Sequence, residues 1–318
     1  MASEKSVAAG AVSLGNYLTD SSTRIIETNK ANGASTTENS YTQQSFYPGV
    51  NLTSSQRSKK WRSSSSSTNK LASVAFDLGS AKTPGVFALI DSNLLYSSSL
   101  GAANSVLPSG SINTNQVALQ GSDSSSFSTV QQFTYEFYQP DSVNGVIRFY
   151  IGNDDSGVAA AAYRYWRVIF PDISNGGVSV ARYFELGEVW LGPLDEIRIE
   201  HKSVSVKQLD PSPRAFAYSG AVYFDKLKAV REIGLKLAHV SDTEVEGTYT
   251  SALVLQDKLS DIGYTDPVLL DISAYNSETS AGANKKKLDV YYCRIGSANL
   301  KTSMQRRRSI DLKFTEAR

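Results

Sequence analysis

The chain has a single cysteine in 318 residues, Cys293. That excludes an intrachain disulfide framework and any cysteine-rich metal cluster, and it is compatible with folding in a reducing cytoplasm. Histidine is almost as scarce. His201 and His239 have no Cys, His or acidic partner at ligand spacing, so neither a zinc site nor a cofactor is expected. Long hydrophobic runs are missing too: residues 85–90 and 158–170 fall far short of the ~20 that a membrane helix needs, and Arg164 and Arg167 interrupt the second. Membrane insertion is therefore not expected. A formal net charge of +1 supplies no overall field for nucleic acid or an anionic surface. The opening Met-Ala-Ser-Glu-Lys lacks the apolar run of a signal peptide, and synthesis in the cytoplasm is the expectation.

Catalytic patterns are absent as well. No G-x-S-x-G elbow, phosphate-binding glycine loop or dinucleotide fingerprint occurs. Glu185 and Glu188 are three apart in a strand-like stretch, which puts them on opposite faces and spoils an acid/base pair. The chain is expected not to be an enzyme. Asn153, Asp154 and Asp155 offer oxygen ligands for calcium in a turn, with an ordinary solvated turn as the plainer alternative. Two basic clusters, Lys285, Lys286, Lys287 and Arg306, Arg307, Arg308, suit contacts to an acidic neighbouring subunit better than nucleic acid.

What is present is β-like. Seventeen tyrosines exceed twelve phenylalanines and three tryptophans, and Ser and Thr are abundant. Residues 1–45 are polar and are expected to form a flexible arm that orders only on a neighbour. From residue 46 to 195 short apolar runs alternate with polar turns. Val74, Phe76 and Leu78 recur at period two, 86–90 is continuously apolar, and 117–122, 130–138 and 146–151 read as further strands. Trp166, Val168 and Phe170 share one face of the next strand, with Arg167 and Ile169 on the other, and 184–191 is expected to supply its companion. Trp61, Phe76, Leu78, Trp166, Val168, Phe170 and Trp190 are the core candidates of an antiparallel sandwich. Residues 196–318 change character. Strands are predicted at 197–206, 235–240, 267–272, 288–295 and 310–314, with a helix capped by Asp242 and ended near Gly263. That pattern predicts a second, smaller α+β domain.

The order of motifs carries a resemblance. Trp61-Arg-Ser is followed by Phe-Asp-Leu-Gly (76–79), Val-Ala-Leu-Gln-Gly-Ser (117–122), Tyr-Arg-Tyr-Trp-Arg-Val-Ile-Phe (163–170) and Phe-Glu-Leu-Gly-Glu-Val-Trp-Leu-Gly (184–192). Then come Asp-Pro-Val-Leu-Leu-Asp (266–271), Tyr-Cys-Arg (292–294) and the alternating 310–316. This series resembles virion proteins of tailed bacteriophages that carry a discoidin-like (coagulation factor C-type) jelly roll. The resemblance implies a mainly β chain, a jelly roll followed by an assembly unit, and a non-enzymatic tail, neck or appendage protein. It further implies other virion proteins and like subunits as partners, with assembly in the host cytoplasm and residence in the virion. The alternative that it leaves open is a module that binds carbohydrate or a host receptor, including host-surface glycan, through loops around the aromatic core.

Overall fold

A computed structural model describes residues 22–26, 29–38, 46–56, 58–63, 72–93, 105–107, 110–112, 116–136, 146–151, 161–170, 183–193, 197–210, 212–216, 218, 222–224, 229–241, 259, 262–272, 290–302 and 307–317. Their regular structure is almost all strand. In chain order these are β1 (Ser22–Ile26), β2 (Ser35–Glu38), β3 (Trp61–Arg62), β4 (Ser73–Lys82), β5 (Val86–Ile90), β6 (Ser105–Leu107), β7 (Gly110–Ile112), β8 (Gln116–Ser122), β9 (Gln131–Glu136) and β10 (Val146–Tyr150). They continue as β11 (Tyr163–Ile169), β12 (Glu185–Leu186), β13 (Glu188–Gly192), β14 (Ile197–Leu209), β15 (Arg214–Phe216), β16 (Val222–Phe224), β17 (Val230–Ser241), β18 (Pro267–Asp271), β19 (Val290–Thr302) and β20 (Arg307–Glu316).

The first unit is a sandwich. A five-stranded sheet, β2-β4-β11-β8-β9, packs on a three-stranded sheet, β10-β5-β13, with every pairing antiparallel. Alternate residues of the larger sheet point inward: Val74 and Phe76 from β4, Val117 and Leu119 from β8, Phe133 and Tyr135 from β9, Trp166 and Val168 from β11. Phe87, Leu89, Ile147, Phe149, Val189 and Leu191 meet them from the smaller sheet. Trp61 stacks on Phe170 with ring centres 5.0 Å apart. Trp61, Phe76, Trp166, Val168 and Phe170 are thus buried in this core, while Leu78 is only partly buried against it. Trp190 is buried elsewhere. It belongs to a second apolar cluster behind the smaller sheet.

That second cluster explains why 86–90 does not alternate. Phe87 and Leu89 face the sandwich core, whereas Val86, Ala88 and Ile90 face the other way, onto Leu269, Val290 and Tyr292 of the second unit. A strand covered on both faces reads as one apolar run. Residues 184–191 do not lie beside the Trp166 strand, as expected from sequence. β13 pairs with β5 and β11 pairs with β4 and β8, so the two stretches sit in opposite sheets.

The second unit is a closed six-stranded antiparallel barrel in the order β1-β14-β17-β20-β19-β18, returning to β1. Ile233, Leu235, Val268, Leu270, Cys293, Ile295, Ile310, Leu312 and Phe314 fill it. Among the described residues this unit is a barrel, and the expected α+β character is not confirmed. Most of the helix expected from Asp242 lies outside those residues. Its end is visible: Leu259 and Ile262 are helical, the Gly263 N–H donates to the Leu259 carbonyl at 3.2 Å, and Gly263 takes φ +60°. That is the left-handed residue that commonly closes a helix.

The expected arm is also corrected where it is described. β1 supplies the stave that closes the barrel between β14 and β18, and β2 is the edge of the larger sheet. β2, a short strand of Ser, Thr and Glu, gives no apolar pattern, because an edge contributes backbone hydrogen bonds more than core. Between them sits Asn29, whose side chain uses its full bonding capacity. Its Nδ2 donates to Glu188 Oε1 (2.9 Å) and the Val189 carbonyl (3.0 Å), and its Oδ1 accepts from Ala31 N (2.9 Å) and Leu191 N (3.0 Å).

Candidate functional site

The outer face of the five-stranded sheet is polar in rows. In β11, Trp166 and Val168 point inward, so Tyr165 and Arg167 must point out. Antiparallel register then sets their neighbours. Ser35, Asp77, Tyr165 and Ser122 form one row, and Thr37, Ala75, Arg167, Gln120 and Gln132 form the next. Strand spacing makes the five-membered row about 19 Å wide.

The loop after β8 folds back over one side of this face. Ser122 Oγ donates to the Thr129 carbonyl (2.8 Å) and accepts from Ser124 N (3.1 Å), and the Phe127 N–H donates to the Ser124 carbonyl (3.0 Å). Such serine turns fix a loop without apolar packing. They hold Phe127 at φ +53°, an uncommon left-handed backbone for a bulky residue. Its ring lies 4.3 Å from the Arg167 guanidinium carbon. Arg167 Nε donates to Gln120 Oε1 at 3.1 Å, its Nη2 donates to the same oxygen, and Gln120 Nε2 passes the chain on to Gln132 Oε1 at 2.7 Å.

What remains open beside this loop is a groove of about 340 Å³. Ser35, Thr37, Glu38, Ser73, Ala75, Asp77, Ser125, Ser126, Phe127, Tyr165 and Arg167 line it. Hydroxyls, the Asp77 carboxylate, one guanidinium and two rings in one concavity are a hydrogen-bonding surface with flat apolar patches. The charges are not equivalent. Asp77 receives a fork from Arg164, Nε to Oδ1 at 2.7 Å and Nη2 to Oδ2 at 2.8 Å. Those bonds, with one from the Gly79 N–H, hold its carboxyl below the usual aspartate range. Arg167 is half-buried, and burial pushes its guanidinium below the usual range without removing its charge at ordinary pH. Glu38 Oε1 accepts from the Gly49 N–H, while its Oε2 is shielded and has no partner among the described residues.

A second polar cluster lies at one end of the sandwich. Arg62 is clasped between the rings of Tyr47 and Tyr183, each centred 4.1 Å from its guanidinium carbon, and its Nη2 donates to Glu185 Oε2 at 2.7 Å. That bond raises the Arg62 pKa further. Lys60 lies between Asp91 and Glu185. These charges already satisfy one another. The cluster fastens β3 to β12.

The sequence-level site candidates fall elsewhere. Asn153, Asp154 and Asp155, Lys285, Lys286 and Lys287, and Arg306 lie outside the described residues, while Arg307 and Arg308 begin β20. Glu185 and Glu188 part company: the first pairs with Arg62, and the second accepts from Asn29 and from the Tyr292 hydroxyl at 2.7 Å. Gln120, Phe127, Tyr165 and Arg167 match no site motif in the sequence. Their signal is the outward half of each alternation, which reads as ordinary solvated surface until the loop encloses it.

No family model matches the chain, and no curated protein matches it. Solved structures do. A chitosan-binding module 1 from a chitosanase/glucanase of Paenibacillus sp. IK-5 is 14% identical, with 52% of this chain and 98% of that chain covered at a TM-score of 0.35. The lectin domain of lectinolysin, complexed with Lewis B antigen, is 12% identical over 52% of this chain and 96% of its own at 0.34. A Streptococcus pneumoniae fucose binding module is 10% identical over 52% and 95% at 0.33. The sheet order, rather than these scores, carries the fold assignment. None of these three modules lends support to the virion origin that the sequence resemblance implies.

Proposed function

We propose that this protein is a non-catalytic glycan-binding protein that holds an oligosaccharide in the groove on the outer face of the five-stranded sheet. One observation carries the reading: the groove combines hydroxyl, carboxylate and guanidinium groups with the rings of Phe127 and Tyr165, on a floor of paired strands. Sugars present hydroxyls that donate and accept together with C–H faces that pack on rings, and such a lining meets both demands. A rigid sheet floor keeps the ordering cost of binding low. The solved modules above are named for sugars, but the reading rests on the groove.

The test blocks the groove from its floor. Ala75 faces outward between Thr37 and Arg167, so Ala75→Trp fills the concavity without touching the core. Isothermal titration against glycans selected on an array should show at least a tenfold loss for Ala75→Trp and for Tyr165→Ala, with unchanged melting temperature. Full affinity in both variants would place any glycan site elsewhere.

The second reading is the virion-assembly role, with like subunits and other virion proteins as partners. In its favour stands the barrel, a whole body that the groove does not use, joined to the sandwich through a buried interface. Particles from the source that contain this chain at fixed copy number would support it.

A further inference from the structure

Resting on the glycan reading above, we infer that the groove selects a sugar bearing a carboxylate, a uronic or sialic acid residue, and that Arg167 is its anchor. The groove floor holds a guanidinium that is half-buried and has no carboxylate within salt-bridge distance among the described residues. Its contacts are a neutral amide, Gln120, and a ring, Phe127. Both orient it, and neither neutralises it.

The two carboxylate residues beside the groove do not reach Arg167. Asp77 is one row away and is closed by the Arg164 fork. Glu38, on the edge strand, pairs in register with the inward-facing Val74, so its side chain leaves this face, and its backbone lies two strands and about 10 Å from that of Arg167. That distance exceeds one pyranose ring. The groove is therefore polarised: a fixed cation at the loop side, and at the sheet edge the neutral hydroxyls of Ser35 and Thr37. A desolvated cation without a counter-ion gains more from an anionic ligand than from a neutral one, because charge-assisted forks are about twice as strong as neutral hydrogen bonds. Arg also matches a planar carboxylate through two parallel N–H groups, which Lys cannot reproduce.

The experiment uses the full chain and two matched ligand pairs: tri-galacturonate with its carboxyl-reduced form, and sialyllactose with lactose. Titration calorimetry at low salt should give at least one acidic member a tenfold or greater advantage over its neutral partner. In Arg167→Gln that ratio should collapse to about one, and Arg167→Lys should restore only part of it. Raising sodium chloride tenfold should shrink the ratio in the unmodified protein and leave Arg167→Gln unaffected. Melting temperatures of both variants within about 2 °C of the parent would show the fold intact. Equal affinity for acidic and neutral members overturns the acid preference and leaves the glycan reading standing. An acid preference that survives Arg167→Gln overturns the anchor. Absence of binding to all four ligands, and to every member of a broad glycan array, would overturn both.

Discussion

The joint between sandwich and barrel should fail when one charge is taken from it. Arg148 of β10 and Asp271 of β18 form an ion pair at 3.1 Å, and their side chains are 4% and 3% exposed. Arg148 points away from the sandwich core, into the cluster that holds Val86, Ala88, Ile90 and Leu269. Replacing only one partner takes the counter-ion from a charge that stays buried, a change that costs about 3–5 kcal/mol. Unfolding entropy near 2.1 cal/mol/K per residue, taken over 318 residues, converts about 4 kcal/mol into a fall in melting temperature of about 6 °C. Arg148→Met and Asp271→Asn should each show that loss in urea denaturation and calorimetry. The double variant should be no worse than either single one, because it removes both buried charges together. Two separated transitions in the single variants would mean that the joint is also what couples the units. Losses below about 1 kcal/mol in both, or strict additivity in the double variant, would refute the reasoning and mark the pair as solvated.

Two other perturbations probe the sandwich. Gly121 lies opposite Trp166, and a Cβ there would collide with the Tyr163 ring and come within 3.0 Å of Trp166 Cη2. Gly121→Ala should therefore lower stability by about 1–3 kcal/mol, measured by urea denaturation, and a neutral result would show that the two rings move freely. The Arg164 fork lowers the pKa of Asp77 in the folded protein. The pair's contribution is then fully present above the ordinary aspartate pKa of about 4 and is lost as pH falls through the lower folded value. Asp77→Asn should flatten that part of the acid limb of a stability–pH curve and leave the slope near neutrality unchanged. An identical acid limb in parent and variant would contradict the assignment.

How much could be read in advance depended on how many faces each strand buries. β4 and β11 bury one face, so Phe76, Trp166 and Val168 announce themselves at period two. β5 buries both, and its continuous run gave its existence but not the reason, which lies in a barrel encoded mostly much later in the chain. Trp190 illustrates the cost: the same alternation that marks β13 as a strand cannot say which side of a doubly covered sheet the indole takes. β1 and β2 were missed because five and four residues are too few to show a period, and β2 is polar throughout. Asn29 looked like loop composition, although its four side-chain bonds tie its own turn to β13. The groove was hidden for a further reason. Arg167 could be placed on the outer face from sequence, but its enclosure depends on the left-handed Phe127 and a serine-rich loop whose spelling resembles any solvent-exposed turn.

The placement of β1 bears on how the chain comes to fold. Its barrel neighbours are β14 and β18, so the whole sandwich is spliced between two adjacent staves. During synthesis β1 emerges first and has no partner until the sandwich has followed it and β14 and then β18 arrive. The sandwich can condense on local pairings while β1 waits, and only the last strands close the cylinder. A fragment cut at the visible boundary near residue 196 would carry two raw edges, β14 and β18, each a template for a neighbouring chain. Circular permutation that places β1 directly after β20 would need a linker across the end of the barrel, because β20 lies between β17 and β19 on the opposite wall. The late closure ties the barrel to its last staves: it seals only once β18, β19 and β20 have been made.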